Sequence, residues 1–422
     1  MNRYLVAGIA AISTFVVVLV GFNLALGNKQ IDESLAHRYA VADAQFQRAM
    51  SSVLTPSLVA GNQVETLING EQIFPAMLAA IRAARESITL ETYIYWSGTI
   101  GEEFAVALAE RAQAGVRVHV LLDWIGTELD EAQLERMRTQ GVEIRRYNMP
   151  RWDTLARLNN RTHRKLLVVD GRIGFTGGVG IADVWRGDAH GPGHYRDTHF
   201  RLEGPAVAQM QSAFIDNWLQ ATGAVLDSHL YLPELAPAGS SVAQVFTSSP
   251  GGGSESMQLM FLMSIASAAE SIRLSASYFV PDDAAVAAFV AARRRGVHVQ
   301  ILLPGPHMDM QLVRRASRAH WEPLLEAGAE IYEYQPTMYH VKVMVVDETW
   351  ASVGSSNFDS RSFSINDEAN LNVYDEVFAA RQVQVFEDDL RHAKRVTLRQ
   401  WRARSAWDRT LDLAASILSS QL

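Results

Sequence analysis

The sequence predicts two similar α/β units in tandem, behind one apolar N-terminal helix. Three observations carry that prediction: a helix-then-strand pattern that recurs in the second half, an uncharged run near the N-terminus, and a globular composition. Of the 422 residues, 48% are apolar and 20% charged, which suits two or three packed domains. A net charge of -8 argues against a general nucleic-acid binder, whose footprint would be basic. No cysteine is present, which removes disulfides, thiolate metal sites and cysteine nucleophiles from consideration.

The elements follow in chain order. Tyr4 to Asn28 carries no charge, and Leu5 to Val20 is almost wholly apolar. That length suits one crossing of a bilayer and exceeds a usual signal-peptide apolar region. Residues 1–28 are therefore expected to form a transmembrane anchor, with cleavage near Ala25 and Gly27 as the alternative. Arg3 before the run and Lys29 after it nearly balance, so orientation is not fixed. A helical lead-in from Ile31 to Val53 precedes a first α/β pattern that begins near Val64.

Helical spacing in "FPAMLAAIRAARE" gives way to alternation in "SITLETYIYW", and "EEFAVALAERAQAG" to "VRVHVLLDW". The second half repeats the order with "FLMSIASAAESIRLSASYFVP" and "AAVAAFVAARRRGVHVQILLPG". Glu86-Ser87-Ile88 recurs as Glu270-Ser271-Ile272, Gly115 as Gly296, and Gly141 as Gly328, at offsets of 184, 181 and 187 residues. Two copies are too few for a solenoid. The Pro-, Gly- and Ser-rich stretch from Leu232 to Glu255 reads as a linker, a strand at Val242 to Phe246 and a hinge loop at Gly251 to Gly253. The expected division is 29–235 for the first unit and 236–422 for the second.

The repeat also carries chemistry. "THRKLLVVD" places His163, Lys165 and Asp170 in the first copy; "YHVKVMVVD" places His340, Lys342 and Asp347 exactly alike, 177 residues on. On a strand, each histidine and lysine share a face. Two imidazoles and two lysines brought together by a pseudo-twofold axis suit one tetrahedral anion. One histidine can attack phosphorus while the other protonates the leaving oxygen. Lysines and the amide of Asn357 would stabilise the equatorial oxygens, and no metal or other cofactor is called for. Each strand is followed by small residues, Gly177-Gly178 in one copy and Gly354-Ser355 in the other, which let backbone approach a ligand. Asp170 and Asp347 fall on the opposite face and are read as structural, fixing a turn or pairing with a cation.

These paired motifs resemble the phospholipase D superfamily. "YFVPD", "LVRRASRAHWEPLLEAGAEIYEYQP", "VGSSNFDSRSFSINDEANL" and "YRDTHFRLEGPAV" resemble its bacterial cardiolipin synthase branch, over roughly Val64 to the C-terminus. The resemblance implies two duplicated phospholipase D-like α/β domains and a phosphatidyl-histidine intermediate. His163 would be the nucleophile and His340 the acid and base. Carboxylates that orient the imidazoles fall at Asp197, 34 residues after His163, and Glu368, 28 after His340. One departure stands out: where the second copy has Asn357, the first has Gly180, so one amide donor is missing.

The implied activity transfers a phosphatidyl group between alcohols, two phosphatidylglycerols giving cardiolipin and glycerol. Water as acceptor would make the same site a phospholipase D, and a nucleic-acid phosphodiesterase is the alternative of another class. The expected partners are an anionic phospholipid and the bacterial inner membrane, with no nucleic acid. His190, His194 and His199, with Asp188 and Asp197, read as a polar loop at the rim entering the strand "YRDTHFRLEG", in preference to a metal site. Seven Lys/Arg between Arg391 and Arg409, with Trp401 and Trp407, suit an interfacial helix on anionic lipid; a helix packed on the domain is the alternative.

Overall fold

A computed structural model of the chain describes residues 35–149, 159–250 and 255–417, with isolated positions between 4 and 18. The expected anchor at 1–28 thus lies mostly outside the described residues, and the Gly251 to Gly253 hinge wholly so. Among the described residues, no helix is long and apolar enough to cross a membrane.

One long sheet organises the chain. Its first-half strands are β1 (Val59–Ile68), β2 (Ser87–Thr92), β3 (Arg117–Asp123), β4 (Glu143–Tyr147), β5 (Leu166–Val169), β6 (Ile173–Gly177) and β7 (Thr198–Glu203). Those of the second half are β8 (Ser241–Ser248), β9 (Ser271–Ala276), β10 (His298–Pro304), β11 (Glu330–Tyr334), β12 (Lys342–Val346), β13 (Trp350–Gly354), β14 (Asn366–Tyr374) and β15 (Ala393–Val396). The spatial order is β15-β11-β10-β9-β12-β13-β14-β8-β1-β7-β6-β5-β2-β3-β4. Read outward from the β8–β1 seam, the two halves match strand for strand, and β15 is an addition at one edge. At the seam the strands run antiparallel, with Val59 opposite Ala243 and Asn62 opposite Ser241.

Strand alternation builds the layers. Leu167 and Val169 enter a core made by the first half alone, with the helices Asn69–Ala83 and Thr99–Gln113. Met344 and Val346 enter the matching core of the second half, which the lead-in helix Ala44–Val53 also joins. Leu166, Val168, Val343 and Val345 face the other way, into one apolar core shared by both halves. Helices Val207–Thr222 and Glu376–Leu390 close that shared layer. The two repeats therefore bury side chains against each other, and the sheet runs unbroken between them.

The aspartates that end the two motifs sit at the far end of β5 and β12 from the histidines. Asp170 takes a left-handed backbone at φ 53°, and its carboxylate accepts from the N–H groups of Arg85, Glu86 and Ser87 at 2.8–3.1 Å. Asp347, at φ 51°, does the same for Ala269, Glu270 and Ser271 at 2.8 Å. Each holds the turn that feeds β2 or β9 and satisfies donors that a helix-to-strand turn leaves open.

Candidate active site

The sequence suggests one strand running through each His-x-Lys. The chain instead changes partners there. Arg161–Thr162 pairs in parallel with Asn366–Asp367 of the other half, and only from Leu166 does the chain join its own sheet. Met338–Tyr339 likewise pairs with Tyr195–Arg196. The N–H of His163 donates to the carbonyl of Asp367 (2.8 Å), and that of His340 to the carbonyl of Arg196 (2.7 Å). The next residue on each opposing strand is a carboxylate, Glu368 or Asp197. Register alone therefore sets each histidine against the acid of the other repeat.

The side chains complete that crossing. Nδ1 of His163 donates to Glu368, 3.0 Å from both carboxylate oxygens. Nδ1 of His340 donates to Asp197 Oδ2 at 2.7 Å. Glu368 also accepts from Ser355 Oγ (2.5 Å) and Asn366 Nδ2 (3.4 Å). Asp197 is held by the indole N–H of Trp185 (3.0 Å) and the backbone N–H of Thr198 (2.8 Å). Lys165 Nζ donates to the carbonyl of His163 at 2.7 Å. Lys342 Nζ donates to Ser277 Oγ (2.6 Å) and the His340 carbonyl (2.9 Å), and lies 3.2 Å from both ring nitrogens of His340. Ser277 in turn donates to Asn357 Oδ1 at 2.7 Å.

Burial sets the charge states. Desolvation outweighs the Glu368 carboxylate and lowers His163 to about 4, with the two lysines pushing the same way. Burial also lowers His340, helped by Lys342 and opposed by Asp197. Lys165 falls to about 7 and Lys342 to about 8, both chiefly by desolvation. Burial pushes Glu368 upward, yet His163, Lys165 and Ser355 more than offset it and hold the carboxyl down to about 2. Asp197 is lowered too, because His340 and Lys342 overcome its burial. These shifts favour neutral imidazoles on ionised carboxylates.

Both histidines, Lys165 and Asn357 line one cavity of about 600 Å³. Its two ends differ. Arg161, Arg361 and Tyr93 lie together in the lining near His163; Trp185 and Tyr195 pack on the His340 ring and Asp309 lies near it, accepting from Tyr278 at 2.9 Å. Of "TYIYW", Tyr93, Ile94 and Trp96 line this cavity, while Tyr95 is fully buried and donates to the Gly101 carbonyl (2.9 Å).

The expected residues His163, Lys165, His340, Lys342, Asn357, Asp197, Glu368 and Ser355 converge, while Asp170 and Asp347 do not. Gly178 belongs to the cluster by its smallness, since a Cβ there would lie 2.3 Å from Asp197 Oδ1. Sequence reasoning missed Trp185 and Ser277. Ser277 had a signal, because it is the repeat counterpart of Tyr93. The exchange is reciprocal: the second copy has Ser277 with Asn357, and the first has Tyr93 with Gly180. The Tyr93 ring meets the His163 ring edge-on at 5.4 Å and lies 5.8 Å from Lys165 Nζ. A Cβ on Gly180 would come within 2.8 Å of Ile94 Cβ, so no amide side chain fits that position as packed.

Comparison with known proteins agrees with this architecture. The family model described as "Cardiolipin synthase, PLD-like domain" matches residues 77–183 and 261–390. Cardiolipin synthase A of Pseudomonas putida (strain F1) is 35% identical over 369 residues, covering 87% of this chain and 76% of that protein. Cardiolipin synthase of Geobacillus kaustophilus (strain HTA426) is 36% identical over 365 residues, covering 86% and 72%. In fold, the chain is similar to the crystal structure of phosphatidylserine synthase from Haemophilus influenzae Rd KW20. That match has a TM-score of 0.68 at 14% identity, over 90% of this chain and 100% of the other. A duplicated sheet carrying the same two motifs, and relatives matched over most of their length, place this chain in the cardiolipin synthase family of the phospholipase D superfamily.

Proposed function

We propose that the chain is a phosphatidyltransferase that condenses two phosphatidylglycerols into cardiolipin and glycerol. The observation that carries this reading is the crossed pair of His–carboxylate contacts facing one cavity. In the proposed first step, Nε2 of His163 attacks the phosphorus of one lipid while Glu368 holds the Nδ1 proton. The bond from phosphorus to the glycerol oxygen breaks, and His340 gives that oxygen its proton. In the second step His340 takes the proton of the incoming lipid's hydroxyl, whose oxygen displaces His163 from phosphorus. His340 must therefore carry a proton when substrate is bound. The phosphodiester anion offsets the lysines that disfavour it, and the 2.7 Å contact to Asp197 supports imidazolium. Lys165, Lys342 and the amide of Asn357 are assigned to the equatorial oxygens. Ser277 engages the carbonyl end of that amide, which leaves its donor end for phosphate.

On this reading, repeats 29–235 and 236–422 each supply half of one site, and residues 1–28 anchor the chain in the bacterial inner membrane. The test is to incubate purified protein with labelled phosphatidylglycerol and, separately, with DNA. Cardiolipin and glycerol in equal amounts support the proposal. Phosphatidic acid without cardiolipin would make the protein a hydrolase, and DNA cleavage without lipid turnover would overturn the lipid reading.

A further inference from the structure

The C-terminal helix Ala406–Ser416 turns most of its large apolar residues outward and buries Asp412 and the small Ala415. Surface helices ordinarily bury apolar residues and expose charged ones. Here the inward side carries Asp412, 2% exposed, while Trp407, Leu413 and Ile417 are 69%, 65% and 78% exposed. Thr410 and Ala414 are exposed between them, so the outward residues at 407, 410, 413, 414 and 417 make one stripe at helical spacing. Asp412 does not face solvent because three guanidiniums hold it inward: Arg404 at 2.5 Å, Arg315 at 3.3 Å and Arg318 at 3.9 Å. The sequence suggested that both tryptophans flank the lipid. Only Trp407 is exposed; Trp401 is 3% exposed and packs against Trp321 and Arg404.

The helix that bears this stripe packs, by its opposite side, on the segment that reaches the cavity. The helix packs on Gln311–Ala319, and Ala415 shares one apolar cluster with Met308, Val313 and Met338. Val313 and Met310 line the cavity, and Met310 and its neighbour Leu312 are 45% and 42% exposed. Around the helix, Arg315, Arg318, Arg404 and the exposed Arg409 outnumber Asp412 and the half-buried Asp408, four cations to two anions. An apolar stripe bordered by net positive charge, on a helix packed against a segment that lines the cavity, fits one occupant. We propose that Trp407, Leu413, Ile417, Leu312 and Met310 form a docking face for an anionic phospholipid bilayer, which seats the cavity mouth against the membrane. The choice of a bilayer rests on the phosphatidyltransferase reading; the outward stripe does not.

The chain contains no cysteine, so a single introduced thiol takes a label at one place. We would couple an environment-sensitive fluorophore to Leu413→Cys in the full chain, and to Val377→Cys, 82% exposed on another helix, as control. The expected result is a blue shift at position 413, absent at 377, on adding mixed phosphatidylcholine–phosphatidylglycerol vesicles, and weaker with phosphatidylcholine alone. No shift at 413 would overturn the proposal. So would a blue-shifted emission before lipid is added, because the chain's own N-terminal segment or a second copy would then cover the stripe. As a second measurement, Leu413→Gln with Trp407→Ser should lower turnover of vesicle-borne phosphatidylglycerol at least tenfold. Turnover of a monomeric short-chain phosphatidylglycerol should stay unchanged. Equal loss on both substrates would overturn the docking role. If wild type turns over neither lipid, the activity reading fails while the fluorescence result still stands.

Discussion

Glu368 of the second repeat accepts a hydrogen bond from His163 of the first, with Nδ1 3.0 Å from each carboxylate oxygen. Asp197 of the first repeat does the same for His340 of the second. Neither motif histidine takes its carboxylate from its own repeat. Each two-residue parallel ladder that sets this register also ties the halves together, so the candidate site and the interface between repeats are one piece of structure.

Replacing Glu368 by Gln keeps the shape and removes the charge. We expect kcat to fall on the order of 10²- to 10⁴-fold with KM little changed, because the carboxylate fixes the tautomer and steadies charge on His163. Asp197→Asn should behave alike. Rapid-quench trapping of the phosphatidyl-enzyme with radiolabelled lipid checks both, and normal adduct formation in Glu368→Gln would remove its assigned role.

The same trapping separates the two histidines. His163→Ala should yield no covalent adduct, whereas His340→Ala should form one slowly and release it slowly. An adduct that persists in His163→Ala and disappears in His340→Ala would reverse the roles.

Lysine charge contributes to the alkaline side of the pH profile. A lysine is charged below its pKa, so lowering Lys165 to about 7 and Lys342 to about 8 brings loss of charge into the working range. His163, lowered to about 4, becomes a free nucleophile as pH rises through that value. The expected kcat/KM therefore rises as His163 sheds its proton, begins to fall as His340, lowered by burial, loses the proton it must give, and falls further through pH 7–8 as the lysines lose charge. Bound phosphodiester pulls both lysines back up, so the alkaline limb of kcat should lie at higher pH than that of kcat/KM. Coincident limbs, measured with phosphatidylglycerol as substrate, would contradict this.

Asp170 and Asp347 should matter for folding and not for chemistry. Asp170→Ala leaves the N–H groups of Arg85, Glu86 and Ser87 without their acceptor, at a cost of about 1–3 kcal/mol. Urea denaturation measures that loss, and activity per folded molecule should stay within about twofold of wild type, since neither side chain nears the cavity. A large fall in kcat at full stability would return Asp170 to the reacting groups.

Gly180 and Ile94 should couple. Gly180→Asn alone should destabilise by about 1–3 kcal/mol through overpacking against Ile94. Ile94→Ala in the same chain should recover much of it, as a double-mutant cycle in urea would show. Additive losses would mean that the contact is not what excludes a side chain there.

Much of this was legible in one dimension. The duplication, the paired His-x-Lys motifs and the outward-turned Asp170 and Asp347 follow from alternation and from a fixed offset between copies, which are properties of the chain order. Which acid serves which histidine was not legible. Asp197 and Glu368 are placed by two short ladders between segments that lie 205 residues apart for His163 and Glu368 and 143 apart for His340 and Asp197. No local pattern encodes such a register. The exclusion of a side chain at Gly180 by Ile94, the hold of Ser277 on Lys342 and the burial of Trp401 beside an exposed Trp407 are packing outcomes of the same kind. Sequence determined which groups would converge; only the folded chain decided which half supplies each partner, because side-chain neighbours across a seam depend on three-dimensional contact.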